Sequence, residues 1–238
     1  DREDLLNFFE ELAGGRMTPS YSRVGGMAAD LTTGFEKRCR AFLDQLEPKI
    51  DDYEALLTGN EIFKERTQNV GYVSTEDLIA LGVTGPVLRA SGLKWDLRKN
   101  QPYLVYDEFE FDVPTATASD VYCRYLVRMA EMRQSIRIIR QVLDGMPEGD
   151  INISDTKFRR PSKDTIMVGM EELIHHFKQM TSGFPVPPGE AYVPVESSKG
   201  ELGFFIVSDG TGKPQRVRVR PPSFFNLQAL PLMAKGRM

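Results

Sequence analysis

The segment from about Ser119 to Leu143 most constrains the fold. Its apolar residues Leu126, Met129, Met132, Ile136, Ile139 and Leu143 recur in steps of three and four. That spacing stacks all six on one side of an α-helix, a face that other elements must cover. Gly145 and Pro147 follow and close it. A second long helix is expected from about Phe35 to Leu57, with Phe35, Cys39, Phe42, Leu46, Ile50, Tyr53 and Leu57 on one side. Pro48 should kink it and Gly59 stop it. Leu5, Phe8, Phe9 and Leu12 predict a shorter helix ended by Gly14-Gly15.

Ser74-Thr-Glu-Asp77 reads as a capping box for a short helix ending near Gly82. Val83 to Pro114 is rich in Gly, Pro and aromatics, and predicts an irregular segment with extended pieces such as Phe109–Phe111. After a polar connector from Asp150 to Pro161, Ser162 caps a helix striped by Ile166, Met170, Leu173, Phe177 and Met180, which Gly183 ends. Beyond Pro185 the pattern changes. Ala191–Val195, Gly203–Val207 and Gln215–Arg220 are short, β-branched and aromatic, separated by Gly-containing turns, and predict a three-stranded antiparallel meander. The expected class is α+β and predominantly helical, one domain over 1–238: helical over 1–183, a β meander over 190–220, and a further helix starting in 224–238.

Composition narrows the function. Thirty Lys and Arg against 34 Asp and Glu give a net charge of −4, which does not favour nucleic acid. No apolar run approaches the roughly 18–20 residues of a membrane span, and the opening Asp-Arg-Glu-Asp is no secretory signal. The two cysteines, Cys39 and Cys123, form no Cys-x-x-Cys pattern and read as small buried hydrophobes. His175 and His176 are neighbours, so on a helix they point about 100° apart and cannot share a metal. Arg124, Arg128, Arg133, Arg137 and Arg140 flank the long stripe and suggest a solvated or subunit-facing helix side. Arg216, Arg218 and Arg220 alternate along the last strand, suiting a partner surface or internal carboxylates. No phosphate loop, dinucleotide fingerprint or nucleophile elbow occurs. A chain that starts without Met and closes on an apolar, helix-like segment is expected to be a fragment of a longer polypeptide.

Several segments together resemble one family: Met17-Thr-Pro-Ser-Tyr-Ser-Arg-Val-Gly-Gly26, Leu57-Thr-Gly-Asn-Glu-Ile-Phe-Lys-Glu-Arg-Thr67, Gly82-Val-Thr-Gly-Pro-Val-Leu-Arg-Ala-Ser-Gly92, Trp95-Asp-Leu-Arg98 and Pro102-Tyr103. Tyr125-Leu-Val-Arg-Met-Ala-Glu-Met-Arg-Gln-Ser135, Val195-Glu-Ser-Ser-Lys-Gly-Glu-Leu-Gly203, Val207-Ser-Asp-Gly210 and Arg218-Val-Arg-Pro-Pro-Ser-Phe224 continue the set. In this order they resemble the 49-kilodalton (D) subunit of respiratory NADH–quinone oxidoreductase, complex I.

The resemblance implies a bundle like the large subunit of nickel–iron hydrogenases. It also implies a core part of a proton-pumping enzyme that reduces quinone in a cavity shared with an iron–sulfur (B) subunit. It implies no cofactor bound by this chain, quinone as substrate, and an iron–sulfur cluster in the partner. Partners would be the B, C, I and H subunits, on the cytoplasmic face of the bacterial inner membrane. An isolated fragment would be inactive. The family's best-known headgroup ligands, a His and a Tyr, would lie ahead of Asp1, and its closing segment beyond Met238. Carried over by motif, Arg23 falls in the loop that approaches the cluster. Thr18 stands where many members have a titrating His. Lys199 replaces the Arg of the hydrogenases in a turn facing the cavity, and Ser208 supports that turn. A ferredoxin- or F420-dependent quinone or phenazine oxidoreductase, or a membrane-bound nickel–iron hydrogenase, is the alternative.

Overall fold

The computed structural model describes residues 2–236. In chain order, helix α1 (Arg2–Ala13) precedes a hairpin of β1 (Ser22–Arg23) and β2 (Gly26–Met27). Helices α2 (Phe35–Leu57), α3 (Glu61–Thr67), α4 (Thr75–Ala80), α5 (Pro86–Arg89), α6 (Leu97–Asn100), α7 (Val121–Gly145), α8 (Lys163–Val168) and α9 (Met170–Thr181) follow. Strands β3 (Gly189–Ser197), β4 (Gly200–Ser208) and β5 (Arg216–Arg220) form one sheet in that order, and α10 (Pro222–Asn226) and α11 (Leu230–Ala234) close the described chain. The fold is α+β. No helix among the described residues is long and apolar enough to cross a membrane.

The chain groups into two compact units. Unit 1 comprises Asp1–Phe42, Met146–Glu190 and Ile206–Arg216. In it Phe8 meets Phe35 and Phe42 edge-on, at 5.4 and 5.7 Å between centroids, which sets α1 against the start of α2, while Leu5 and Phe9 of the predicted stripe stay exposed. The β1–β2 hairpin lies on residues 151–153: Met27 N–H donates to the Ile151 carbonyl at 3.2 Å and Ile153 N–H to that of Gly25 at 2.9 Å. Gly26 (φ +145) permits this approach, since a Cβ there would collide with the Ile151 oxygen.

Unit 2 comprises Leu43–Gly145, Ala191–Phe205 and Val217–Met238. One core cluster joins Val73, Leu78, Val83, Val87, Leu88 and Ala229; another joins Phe111, Val113 and Ile138. The cap at Ser74 forms, its hydroxyl accepting from Asp77 N–H at 3.1 Å. Asp120 begins α7 by accepting from Cys123 N–H at 2.7 Å, and it also accepts from Asn69 N–H at 2.9 Å. Hydrogen bonding to these amides outweighs burial and holds the Asp120 carboxyl below its ordinary value.

Three expectations are corrected, and the further helix expected in 224–238 gains finer detail. The irregular 83–114 segment contains the one-turn helices α5 and α6, too short to show a period. The helix expected from Ser162 to Met180 breaks at Gly169, whose extended backbone (φ −107, ψ 123) ends α8 and begins α9. The segment from 224 becomes α10, a 3₁₀ turn at Leu227–Ala229 and α11; its residues 237–238 lie outside the described residues. The arginines of α7 are not one solvated side. Arg124 is buried against the Gly71 and Ser119 carbonyls. Arg133 pairs with Asp51 and Glu54, Arg137 with Glu110 and Asp112, and Arg140 with Asp44 and Glu47.

Candidate functional site

The turn Ser198-Lys199 joins β3 to β4 in unit 2, and two glycines let it sit close to the entry of α5. Gly200 (φ +132) and Gly85 (φ +74) face each other so tightly that a Cβ on Gly85 would stand 2.5 Å from the Gly200 Cα. Three hydrogen bonds fix the approach. Glu201 N–H donates to Thr84 Oγ1 at 3.0 Å, Asn226 Nδ2 donates to the Lys199 carbonyl at 3.0 Å, and Thr84 N–H donates to Asn226 Oδ1 at 3.2 Å. The backbone of Lys199 is therefore held while its ammonium stays exposed, with no carboxylate partner among the described residues.

That ammonium borders a cavity of about 520 Å³. Val87, Leu227, Leu230 and Met233 form its apolar wall, and Arg124, Arg128, Ser198, Lys199 and Asn226 its polar one. No carboxylate among the described residues lines it. The arrangement suits a flat or elongated apolar ligand with an electron-rich polar end. A second cavity, of about 390 Å³, shares Arg128 and Ser198 with the first and reaches Arg89, Arg98, Glu131 and Glu196.

Those four residues, with Asp96, form a buried ion network behind the turn. Arg89, 1% exposed, donates Nε to Glu131 at 2.7 Å and Nη1 to Glu196 and the Trp95 carbonyl, both at 2.9 Å. Asp96 lies 3.7 Å from Arg89 and takes a two-point contact from Arg98 at 2.7 and 3.0 Å. Glu196 also accepts Leu97 N–H at 3.3 Å, while its own N–H donates to the Tyr103 hydroxyl at 3.0 Å. Two guanidiniums thus meet three carboxylates. Burial pushes Glu131 and Glu196 above the ordinary glutamate value, because Arg89 offsets only part of the desolvation. Asp96 is pushed up by burial too, but its bonds and proximity to Arg98 and the Arg89 charge hold it below. The network anchors the end of β3, three residues before Lys199, to α5, α6 and α7.

On the other side of the turn, Tyr192 donates to Glu201 at 2.5 Å across Gly203. Burial, with the Glu201 bond and charge, pushes its hydroxyl up to about 12. Arg220 donates to the Gly82 and Glu201 carbonyls at 2.6 and 2.9 Å and covers the Phe225 ring at 4.5 Å. This arginine of the β5 row is therefore an internal anchor.

The other predicted residues fall in unit 1. Arg23 ends β1 and lines a cavity of about 460 Å³; Thr18 is exposed in the preceding loop. Ser208 ends β4, eight residues from Gly200, and donates to the Val186 carbonyl at 2.9 Å. Its hydroxyl is engaged there rather than at the Lys199 turn. Among the described residues no group of three or more His, Cys, Asp or Glu side chains could hold a metal ion. Cys39 and Cys123 are half-buried, and burial raises both thiols. Sequence reading missed Arg89, Glu131 and Glu196; the signal was a lone Arg inside the apolar run Pro86-Val-Leu-Arg-Ala90.

Comparison with known proteins places these features in a lineage. The model of the family described as the respiratory-chain NADH dehydrogenase 49 kDa subunit matches residues 1–238. The chain is 49% identical over 238 residues to the D 1 subunit of NADH-quinone oxidoreductase of Solibacter usitatus, covering all of this chain and 58% of that protein. It is 52% identical over 241 residues to the D 2 subunit of the same enzyme from a Roseiflexus species (all of this chain, 58% of that protein). With the D subunit of Paramagnetospirillum magneticum the identity is 48% over 238 residues (all of this chain, 61% of that protein). The chain thus spans about three fifths of the length of these relatives.

Proposed function

Because the chain belongs to the family of the 49 kDa subunit of respiratory-chain NADH dehydrogenase, we propose that it forms the quinone-site part of such a complex. The observation that carries the reading is the 520 Å³ cavity, where unpaired Lys199 and Arg128 face an apolar wall. A quinone is an apolar ring with two carbonyl oxygens. Its ring and tail would pack on Val87, Leu227, Leu230 and Met233, with one oxygen turned to Lys199. Reduction puts two electrons and two protons on the ring, and negative charge develops on those oxygens. A fixed ammonium and guanidinium stabilise that charge more than they stabilise the neutral substrate, which is the differential binding that lowers a barrier.

The two distant thiols and neighbouring histidines do not fit an iron–sulfur cluster, so electrons would come from a cluster in a partner such as the iron–sulfur (B) subunit. The C, I and H subunits would complete the assembly, which would lie peripherally on the cytoplasmic face of the membrane and couple the reaction to proton translocation. A hydrogenase-like bundle belongs to the same proposal.

Lys199→Met in the full-length protein is expected to lower quinone reduction roughly 10- to 100-fold, less than the roughly 100- to 1000-fold that one buried oxyanion donor is worth, because Lys199 is exposed. NADH oxidation by an artificial acceptor should be unchanged. Unaltered quinone kinetics would remove Lys199 from the site. Arg23, proposed to approach the partner's cluster, would raise its potential as a nearby cation. Arg23→Gln is then expected to shift the cluster's midpoint potential downward in a redox titration followed by paramagnetic resonance; an identical titration would leave Arg23 a hairpin residue.

A further inference from the structure

The cavity of about 460 Å³ in unit 1 shares no lining residue with the Lys199 cavity, and only Arg23 connects it to the proposed function. Arg23, Arg159, Arg160 and Lys163 line it, and no carboxylate among the described residues does. None of the four makes an ion pair among the described residues; the Arg160 guanidinium donates to the Met180 sulfur at 3.6 Å. The backbone that carries them is held in place. Gln179 donates to the Lys157 and Arg159 carbonyls at 3.1 and 3.2 Å. The Arg23 hairpin is seated on residues 151–153 through Gly26, as described above. His176 also lines the cavity, and its Nδ1 is shielded from solvent with no hydrogen-bond partner among the described residues.

Four cations around one cavity repel one another unless an anion joins them. Guanidinium forks match planar and tetrahedral oxyanions, and a lysine adds a point charge. One carboxylate would bring a single negative charge. A phosphate brings one charge as a diester, on two tetrahedrally disposed oxygens, and close to two as a monoester, with three acceptor oxygens to share among the donors. Val24, Met27 and Ile166 line the same space, so the ligand has room for a carbon skeleton beside its charged end. Glu171 and Glu172 line a neighbouring cavity that shares Arg159, whereas Arg23, Arg160 and Lys163 do not line it. From this geometry we infer that the cavity binds a phosphate group, carried either by a small phosphate compound or by a phospholipid headgroup.

The test footprints Lys163 in the detergent-solubilised complex that contains this chain, by the rate of its acetylation read by mass spectrometry. The probes are inorganic phosphate, dihexanoyl phosphatidylglycerol and, as control, sodium chloride at equal ionic strength. A probe at ten times its Kd is expected to slow acetylation roughly tenfold, by simple occupancy; chloride is not. Arg160→Gln, a surface change that should leave the fold intact, is expected to abolish the protection. Protection by inorganic phosphate alone or equally well assigns a free phosphate compound; protection by phosphatidylglycerol alone assigns a lipid headgroup. Two results overturn the inference. One is full protection retained in Arg160→Gln. The other is no protection by either probe, including a Lys163 that reacts only after neighbouring subunits dissociate, which would assign the cavity to an acidic partner segment.

Discussion

Arg89→Met is expected to destabilise unit 2 by about 3–5 kcal/mol, the usual result of removing one partner from a buried ion network. The side chain is 1% exposed and bridges Glu131, Glu196 and the Trp95 carbonyl. Methionine fills similar volume, so little of the loss would come from a cavity. It comes from leaving Asp96, Glu131 and Glu196 with Arg98 alone, a deficit of charge in a region with little water to screen it. The pH dependence follows with a definite sign. Glu131 and Glu196 already titrate above their ordinary value, and without Arg89 they rise further. A carboxyl whose folded pKa exceeds its unfolded one favours folding when protonated, and that contribution is lost as pH rises through the folded value. The deficit of the variant should therefore be largest at neutral pH and shrink as the solution is acidified towards the ordinary glutamate range. Asp96, held low by Arg98, contributes the opposite slope only below the ordinary aspartate range. Urea midpoints at neutral pH and in the ordinary glutamate range would measure this. Adding Glu131→Gln and Glu196→Gln to Arg89→Met should recover much of the loss, since the orphaned charges go too. A deficit that ignores both pH and the added substitutions would mean that Arg89 matters for packing and not for charge.

What could be read from the sequence and what could not divide along contact range. The cap at Ser74, the ends of α2 and α7 and the meander are set by residues within a few positions of each other, and local pattern finds them. Arg89 is different: the apolar run around it hints at burial, but its partners stand 42 and 107 positions away and no local pattern names them. Arg124 misled for the same reason. Spaced among other arginines it resembles a solvated side, yet the carbonyl of Gly71, 53 positions distant, receives it. Gly169 was hidden by a stripe that continues in register on both sides, because apolar periodicity reports faces and not continuity. At the candidate site, motif pointed to Lys199 but not to Arg128, whose exposure on a long helix gives no hint that it lines a cavity. Nor does motif explain why the turn must be so short of side chains.

The close approach of Gly85 and Gly200 supplies that reason, and it makes Gly200→Ala the sharpest test of how the cavity is built. A Cβ on Gly200 would stand 2.6 Å from Thr84 Oγ1 and 2.9 Å from the Thr84 carbonyl carbon and oxygen. The contacting atoms are mostly backbone, at the entry to α5 beneath the Val83–Leu88 core, so they cannot rotate aside. Strain at φ +132 adds about 1–3 kcal/mol to the clash for a residue with a side chain. The turn must therefore lift, and lifting it breaks Glu201 N–H to Thr84 and Asn226 to the Lys199 carbonyl together, each worth about 1 kcal/mol net. A total loss of about 3–5 kcal/mol is expected from these terms. The consequence differs in kind from that of Lys199→Met. Lys199→Met should leave stability nearly unchanged and remove charge from a cavity of unaltered shape. Gly200→Ala keeps the charge and moves it, so amide exchange at Glu201 should accelerate and the urea midpoint fall, while quinone reduction drops with a rise in KM as the polar wall parts from the apolar one. Normal exchange at Glu201 in a folded Gly200→Ala variant would show that the turn can absorb a side chain, and that Thr84 and Asn226 do not set the position of Lys199.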